Sequence, residues 1–194
     1  MLKETELRIL SSFFPEGKDI TIKIIMQRSG LSYEPVYRVV NSLAEKKIIS
    51  SKKFGKTLVY SLIFEKEEIK IAFFFYAKEK LKEFSKSHRV IFNALSKVNE
   101  ENIDFLAVFG SYAKGTPTKD SDVDVLCVSS NKKEDEREIK SLKYETNLEF
   151  APIVIPKKEF KKIKKENETF WNDLVEFGII FKGYELFYSE AYLK

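Results

Sequence analysis

The sequence has few of the residues on which disulfide-linked, zinc-dependent or repetitive proteins depend. Cys127 is the only cysteine and His88 the only histidine among 194 residues, which excludes an internal disulfide and a structural zinc site built from Cys and His. The 7 glycines and 5 prolines are too few for a fibrous or low-complexity chain. Because His88 lies in the polar stretch 86–89, we predict a surface histidine that is neither a metal ligand nor a base.

Long apolar segments are also missing. The longest apolar run covers residues 71–77, far short of the roughly 20 residues that a membrane-spanning helix needs. The first six residues are largely charged or polar, whereas a secretory signal has an apolar segment. We therefore expect no membrane contact and a cytoplasmic location.

Charged residues of both signs make up 33% of the sequence and apolar residues 43%, which is enough for the chain to fold around its own core. The net charge of +4 is unevenly spread: residues 1–65 contain 11 basic and 7 acidic side chains, whereas residues 105–194 contain 15 and 16. The positive excess near the start of the chain is compatible with a nucleic-acid partner but is weak support for one.

Residues 1–65 show three helical patterns followed by two extended runs. The first helix ends before residues 15–17, the second follows Thr21 and ends at Gly30, and the third runs from Tyr33 to about residue 46, with Ser32 suited to cap it. The extended runs 48–52 and 57–64 are joined by a turn at residues 54–56. This order resembles the winged helix-turn-helix domains of transcription regulators.

The resemblance implies that the third helix enters the major groove of DNA or binds RNA, and that the hairpin contacts phosphates. The predicted nucleic-acid-binding residues are Tyr33, Tyr37 and Arg38 on the helix and Lys52, Lys53 and Lys56 on the hairpin. The alternative is that the same fold contacts a protein or positions a substrate, and that these lysines only form a solvated face.

Residues 66–100 are predicted to form a helical linker, as one long helix or two shorter ones. The aromatic block 73–76 points in all directions around a helix, so part of it must be buried. It packs either on a neighbouring element or on a second copy of the chain, and a homodimer through this helix is the second alternative.

The strongest chemical motif lies in residues 101–194. An apolar strand from Ile103 ends at Gly110-Ser111, and a second strand carries Asp122 and Asp124 on one face, since residues two apart point the same way. Two neighbouring carboxylates repel each other unless a cation lies between them, and Mg²⁺ prefers such oxygen ligands. Gly110 would let the backbone approach a phosphate closely.

The motifs Phe109-Gly110-Ser111-Tyr112-Ala113-Lys114-Gly115 and Ser121-Asp122-Val123-Asp124-Val125 resemble those of polymerase beta-like nucleotidyltransferases, especially the small minimal members. The resemblance covers about residues 100–194 and implies an α/β domain with a mixed sheet, within a two-domain α+β or α/β protein. It also implies transfer of a nucleoside monophosphate from a nucleoside triphosphate such as ATP, with pyrophosphate leaving. The residues implied are Gly110, Ser111 and Lys114 for the nucleotide and Asp122 and Asp124 for Mg²⁺ or Mn²⁺.

The family also supplies a third carboxylate from a later strand. The candidate is Glu149, which would act as a catalytic and metal-binding residue, although an equally good alignment puts this position at Ala151. We expect a nucleotidyltransferase with an unknown acceptor. The alternatives are a DNA-binding regulator that only senses nucleotide, and an antitoxin-like protein that modifies a partner toxin. The lysine-rich stretch 157–165 would either receive the phosphates of a nucleic-acid acceptor or form a solvated face.

Overall fold

The computed structural model describes residues 2–99 and 101–193, and the chain divides into two compact units, the first ending at Tyr76 and the second beginning at Ala77. The predicted boundary between linker and second domain at residue 100 lies outside the described residues, as do the predicted domain ends at residues 1 and 194. Each unit has its own sheet.

The first unit consists of short helices and a three-stranded antiparallel sheet. The helices are α1 (Glu4–Ser11), α2 (Ile22–Ser29) and α3 (Tyr33–Glu45), and the strands are β1 (Ile20–Thr21), β2 (Ile49–Phe54) and β3 (Thr57–Leu62). The strand order is β1-β3-β2. The helices and the β2–β3 hairpin lie where the sequence predicts them, whereas the two-residue strand β1 has no sequence signal of its own.

Local capping explains the limits of α2. The Thr21 hydroxyl accepts a hydrogen bond from the Ile24 amide at 3.4 Å, and Gly30 ends the helix with a left-handed φ of 68°. Ser32 is the N-cap residue of α3, as predicted, but its side chain makes no capping hydrogen bond. The apolar face of α3, which includes Val36 and Val40, is fully buried and anchors the helix.

The helix α4 (Glu67–Ser87) begins in the first unit and runs past the division at Tyr76, and α5 (Arg89–Leu95) follows it. Phe73 is only 1% exposed and packs edge-on against Phe14, with ring centres 5.4 Å apart. Phe14 also stacks on Tyr76 at 5.4 Å. The aromatic block therefore packs against a neighbouring element within the first unit, which is the first of the two predicted alternatives. The homodimer stays a prediction.

The second unit surrounds a four-stranded mixed sheet. Its strands are β4 (Ile103–Val108), β5 (Val123–Ser129), β6 (Phe150–Ile155) and β7 (Ile179–Lys182). The order is β6-β5-β4-β7, with β5 and β6 parallel and the other neighbours antiparallel. The mixed sheet expected from the sequence is confirmed. The helices of this unit, apart from α4 and α5, are α6 (Gly110–Lys114), α7 (Lys132–Ser141), α8 (Lys143–Thr146), α9 (Lys157–Glu166), α10 (Glu168–Phe177), α11 (Tyr184–Tyr188) and a π-helical turn (Ser189–Leu193).

The two central strands, β4 and β5, form the middle of the core. Leu106, Val108, Val125 and Cys127 are all fully buried. Burial raises the pKa of the Cys127 thiol to about 12, so this cysteine behaves as a small apolar side chain rather than a nucleophile. No helix in residues 2–99 and 101–193 is long and apolar enough to cross a membrane.

Candidate active site

The candidate site lies where β4 ends beside the start of β5. The Phe109 amide donates a hydrogen bond of 3.0 Å to the Asp124 carbonyl, which continues the pairing of the two strands up to the turn. Gly110 then adopts a left-handed φ of 67° and starts α6. A side chain at this position would overlap the Asp124 carboxylate. Glycine is therefore required here both by the backbone and by the contact with Asp124.

The two aspartates differ in their environment. Asp124 is the second residue of β5 and is half-buried, whereas Asp122 is exposed just before the strand begins. Burial first, and the negative charge of Asp122 second, raise the pKa of the Asp124 carboxyl. The Asp124 carboxylate is thus destabilised in the protein alone, and a bound cation would relieve both causes.

Ser111 and Lys114 follow Gly110 on the five-residue helix α6. Ser111 is half-buried next to Gly110, and its carbonyl accepts a 3.0 Å hydrogen bond from Thr116 that closes the end of the helix. Lys114 is directed to α10, where its ammonium lies 2.6 Å from the Asp173 carboxylate and 5.3 Å from the Phe177 ring centre. Asp173 is 59 residues away in sequence, and the sequence gives no sign of this pair.

Glu149 lies next to β5 but is not grouped with the two aspartates. Its carbonyl accepts a 2.8 Å hydrogen bond from the Val123 amide, and the parallel register sets Asp124 beside Ala151. Its exposed carboxylate pairs with Lys143 at 3.6 Å. Within the described ranges, no three Asp, Glu, His or Cys residues are grouped so that they could hold a metal ion.

His88 is less exposed than its polar neighbours in the stretch 86–89. The imidazole is half-buried between Phe84, at 4.8 Å between ring centres, and Tyr112 of α6, at 5.4 Å. Burial lowers the pKa of His88. The contact with Phe84 has the local spacing of one helical turn, whereas the contact with Tyr112 has no local sequence signal. His88 therefore packs against the helix that follows Gly110.

The predicted nucleic-acid-binding residues of the first unit are all exposed. Tyr33 and Tyr37 are 55% and 46% exposed and stack on each other with ring centres 5.5 Å apart. Arg38 lines a separate groove on the neighbouring side of α3. On the hairpin, the exposed lysines are Lys52, Lys53 and Lys56.

A basic side chain and an aromatic ring also meet on the hairpin. The Lys52 ammonium lies 4.7 Å from the centre of the Phe54 ring, which is 52% exposed. This surface therefore presents both positive charge and aromatic rings to solvent.

Comparison with known proteins gives one match. Residues 87–175 match the family model of the nucleotidyltransferase domain, a range that contains both glycine-serine and aspartate motifs as well as Glu149. No curated protein and no solved structure matches the chain. Proteins of the matched family generally use a nucleoside triphosphate and a divalent metal. The match supports a nucleotidyltransferase domain, and hence a transferase, in this part of the chain.

Proposed function

We propose that the protein transfers a nucleoside monophosphate from a nucleoside triphosphate to an acceptor hydroxyl in a Mg²⁺-dependent reaction. The observation that carries this proposal is the close approach of Gly110 to the Asp124 carboxylate at the adjoining ends of β4 and β5. Phosphate-binding backbone and metal-binding carboxylate are then neighbours, as nucleotidyl transfer requires. The matched range 87–175 includes this whole arrangement.

The side chains present fit a divalent cation. Asp122 and Asp124 offer carboxylate oxygens, the ligand type that Mg²⁺ and Mn²⁺ prefer, and burial together with the negative charge of Asp122 raises the pKa of Asp124. Such a cation, when bound, neutralises phosphate charge and orients the triphosphate. With two protein carboxylates, most of its remaining ligands would be water and phosphate oxygens.

The chain's own residues would bind and orient the triphosphate. Gly110 leaves room for the Asp124 carboxylate against the backbone, and Ser111 beside it would supply a hydroxyl to a phosphate. The acceptor hydroxyl attacks the α-phosphorus, a new oxygen–phosphorus bond forms, and the bond to pyrophosphate breaks. Lys114 reaches the nucleotide only by exchanging its ion pair with Asp173, so we propose that it acts first by holding α6 against α10.

The first unit is proposed to be a winged helix that binds nucleic acid. The supporting observations are the stacked, exposed pair Tyr33 and Tyr37 and the exposed hairpin lysines. Lysines of this kind neutralise phosphates, and residues on the third helix contact base edges in such domains. Binding of duplex DNA by the full chain, lost on substitution of the hairpin lysines, would support this assignment.

One observation favours a second candidate, a regulator that binds nucleotide without turning it over. Glu149 is engaged with Lys143 and is not grouped with the aspartates, so the third carboxylate of an active site is not assembled. Turnover then requires Glu149 to leave Lys143. The variant Glu149→Gln, which removes the carboxylate charge, should lower transfer if Glu149 is the third carboxylate and leave it unchanged if it is not.

The activity test uses nucleoside triphosphates labelled at the α-phosphate, Mg²⁺ and candidate acceptors. We expect label transfer by the wild type and its loss, by at least about 100-fold, in Asp122→Ala combined with Asp124→Ala. The matched control is Glu159→Ala with Glu166→Ala, which removes two exposed acidic side chains of α9 elsewhere in the second unit. Transfer that survives the Asp122 and Asp124 substitutions would refute the site.

A further inference from the structure

A groove on the second unit runs along α7 and α8, and we name it the α7–α8 groove. It has a volume of about 580 Å³ and is open to solvent. The charged side chains that line it are four basic residues and one acidic residue: Lys133, Arg137, Lys140, Lys143 and Glu136. The groove is therefore positively charged, although residues 105–194 as a whole carry one more acidic than basic side chain.

Two of the cations are available to a ligand. Lys140 pairs with Glu136 at 2.7 Å and Lys143 with Glu149 at 3.6 Å, whereas Lys133 and Arg137 have no ion pair within the described parts of the chain. Both unpaired side chains are exposed and lie four residues apart on α7, so they project along the same side of the helix. Two adjacent free cations suit successive phosphates of a polyanion.

An aromatic ring adds a second kind of contact at the same groove. Tyr144 is 81% exposed, the highest value among the large apolar and aromatic side chains that are exposed in residues 2–99 and 101–193. The Lys143 ammonium lies 5.6 Å from its ring centre. An exposed ring bordered by cations is the arrangement on which a nucleobase stacks while its phosphates are neutralised.

The groove is linked to the candidate active site through its lysine. Lys143 pairs with Glu149, and the carbonyl of Glu149 accepts the hydrogen bond from the amide of Val123, the residue between the two aspartates. The Lys143 end of the groove therefore lies beside Glu149, the residue that precedes β6 next to the start of β5.

We infer that the α7–α8 groove binds a single-stranded nucleic acid, RNA or DNA, and directs its terminal hydroxyl toward Asp122 and Asp124. The inference rests on the proposed function, since it identifies the acceptor of that reaction. The terminal oxygen would form the new bond to the α-phosphorus, pyrophosphate would leave, and the hydroxyl proton would pass to solvent or to a released Glu149. An acidic protein is the alternative acceptor, but it offers no base for Tyr144.

Direct binding tests the groove without requiring catalysis. The full chain carries Lys52→Glu, Lys53→Glu and Lys56→Glu in every sample, so that the first unit does not contribute. Fluorescence anisotropy then measures binding of labelled oligouridine and oligodeoxythymidine of about twelve nucleotides, a length that fits such sites. A labelled duplex and a polyglutamate competitor show whether the groove prefers a single strand, a duplex or an acidic protein.

The groove variant is Lys133→Glu with Arg137→Glu. Its comparison variant is Lys158→Glu with Lys162→Glu, because both pairs are exposed and occupy the second and sixth positions of ten-residue helices. This variant also tests the stretch 157–165, which the inference takes to be a solvated face rather than the acceptor site. We expect the groove variant to weaken single-strand binding by at least about tenfold and the comparison variant by less than about twofold. Tyr144→Ala should weaken it by about tenfold and leave residual duplex binding unchanged.

Equal loss in both double variants, no binding of either single strand, or equal displacement by polyglutamate would overturn the inference. Loss of binding from unfolding is recognised by a lowered melting temperature, and Tyr144→Ala, at an exposed position, then decides the case. The variant Asp122→Ala with Asp124→Ala must retain strand binding. If the protein binds strands but transfers no label, only the proposed function is contradicted. If it transfers label and the groove variants bind strands as well as the wild type does, only the groove inference is contradicted.

Discussion

At the scale of single residues, the site depends on how closely one backbone atom approaches one carboxylate. Gly110 combines a left-handed φ with direct contact to Asp124, so two separate constraints act on the same residue. Gly115, five residues later, has a similar φ of 73°, but open space surrounds the position of its missing side chain. A comparison of substitutions at the two glycines therefore distinguishes the effect of backbone strain from the effect of steric overlap with Asp124.

We predict that Gly110→Ala lowers nucleotide transfer by at least about 100-fold, because the added methyl displaces Asp124 from its position. Gly115→Ala should cost only the left-handed backbone strain, about 1 kcal/mol of stability, and leave transfer nearly unchanged. Thermal melting and the α-label transfer assay measure the two effects. Equal activities in the two variants would contradict the importance of the Gly110 contact.

The single histidine offers a second residue-scale prediction. Because burial against Phe84 and Tyr112 lowers its pKa, His88 should titrate below its ordinary value of 6.5. The protonated imidazole is less favourable in the folded than in the unfolded protein, so the contribution of His88 to stability is present above pH 6.5 and is lost as pH falls from 6.5 through the lower pKa of the folded state.

Proton NMR of the imidazole gives this pKa directly, since no other histidine contributes a signal. Phe84→Ala should move the pKa of His88 upward toward 6.5, whereas Tyr144→Ala, at an exposed position far along the sequence, should not change it. A wild-type pKa at or above 6.5 would contradict the packing described for His88.

At the scale of secondary-structure elements, α4 is stabilised by one face of its aromatic block. Phe73 is 1% exposed and contacts Phe14, whereas Ile71, two residues earlier, is 49% exposed. We predict that Phe73→Ala lowers the free energy of unfolding by about 3–5 kcal/mol, as buried aromatic truncations do. Ile71→Ala should change it by less than about 0.5 kcal/mol.

Denaturant unfolding at several protein concentrations checks both values. A large and concentration-dependent effect of Ile71→Ala would instead indicate that this face of α4 is buried between two copies, which is the homodimer alternative. Equal, small effects of both substitutions would contradict the packing of Phe73 within the first unit.

The elements themselves were largely predictable, because periodicity and caps act within a few residues. The limits of α2, set by Thr21 and Gly30, and the strands on either side of Gly110 follow from such local signals. The contacts that modify the site do not: Lys114 pairs with Asp173 across 59 residues, and the register of two parallel strands decides that Ala151 lies beside Asp124. Register and long-range pairing depend on the folded sheet rather than on local pattern.

At the scale of the whole molecule, the net charge of +4 combines a basic start of the chain with a nearly neutral remainder. If the winged helix binds duplex DNA, each hairpin lysine that contacts a phosphate contributes to the salt dependence of binding. Replacing Lys52, Lys53 and Lys56 by Gln should then reduce the slope of log affinity against log salt by about 2 to 3.

Anisotropy of a labelled duplex at several salt concentrations measures this slope. Three exposed lysines of α9 provide the matched control, Lys158→Gln with Lys161→Gln and Lys162→Gln, which should leave the slope for the duplex unchanged. If the control lowers the slope as much as the hairpin variant, the basic excess acts only as a diffuse charge.

The central claim is that nucleotide and metal bind at Gly110, Ser111, Asp122 and Asp124. The most direct test is a crystal structure of the protein with Mn²⁺ and a non-hydrolysable nucleoside triphosphate, with anomalous diffraction to locate manganese. We predict an anomalous peak about 2.0–2.3 Å from oxygens of both aspartates, with the triphosphate against Gly110 and Ser111. A nucleotide bound elsewhere, or manganese absent from both aspartates at saturating concentration, would contradict the account.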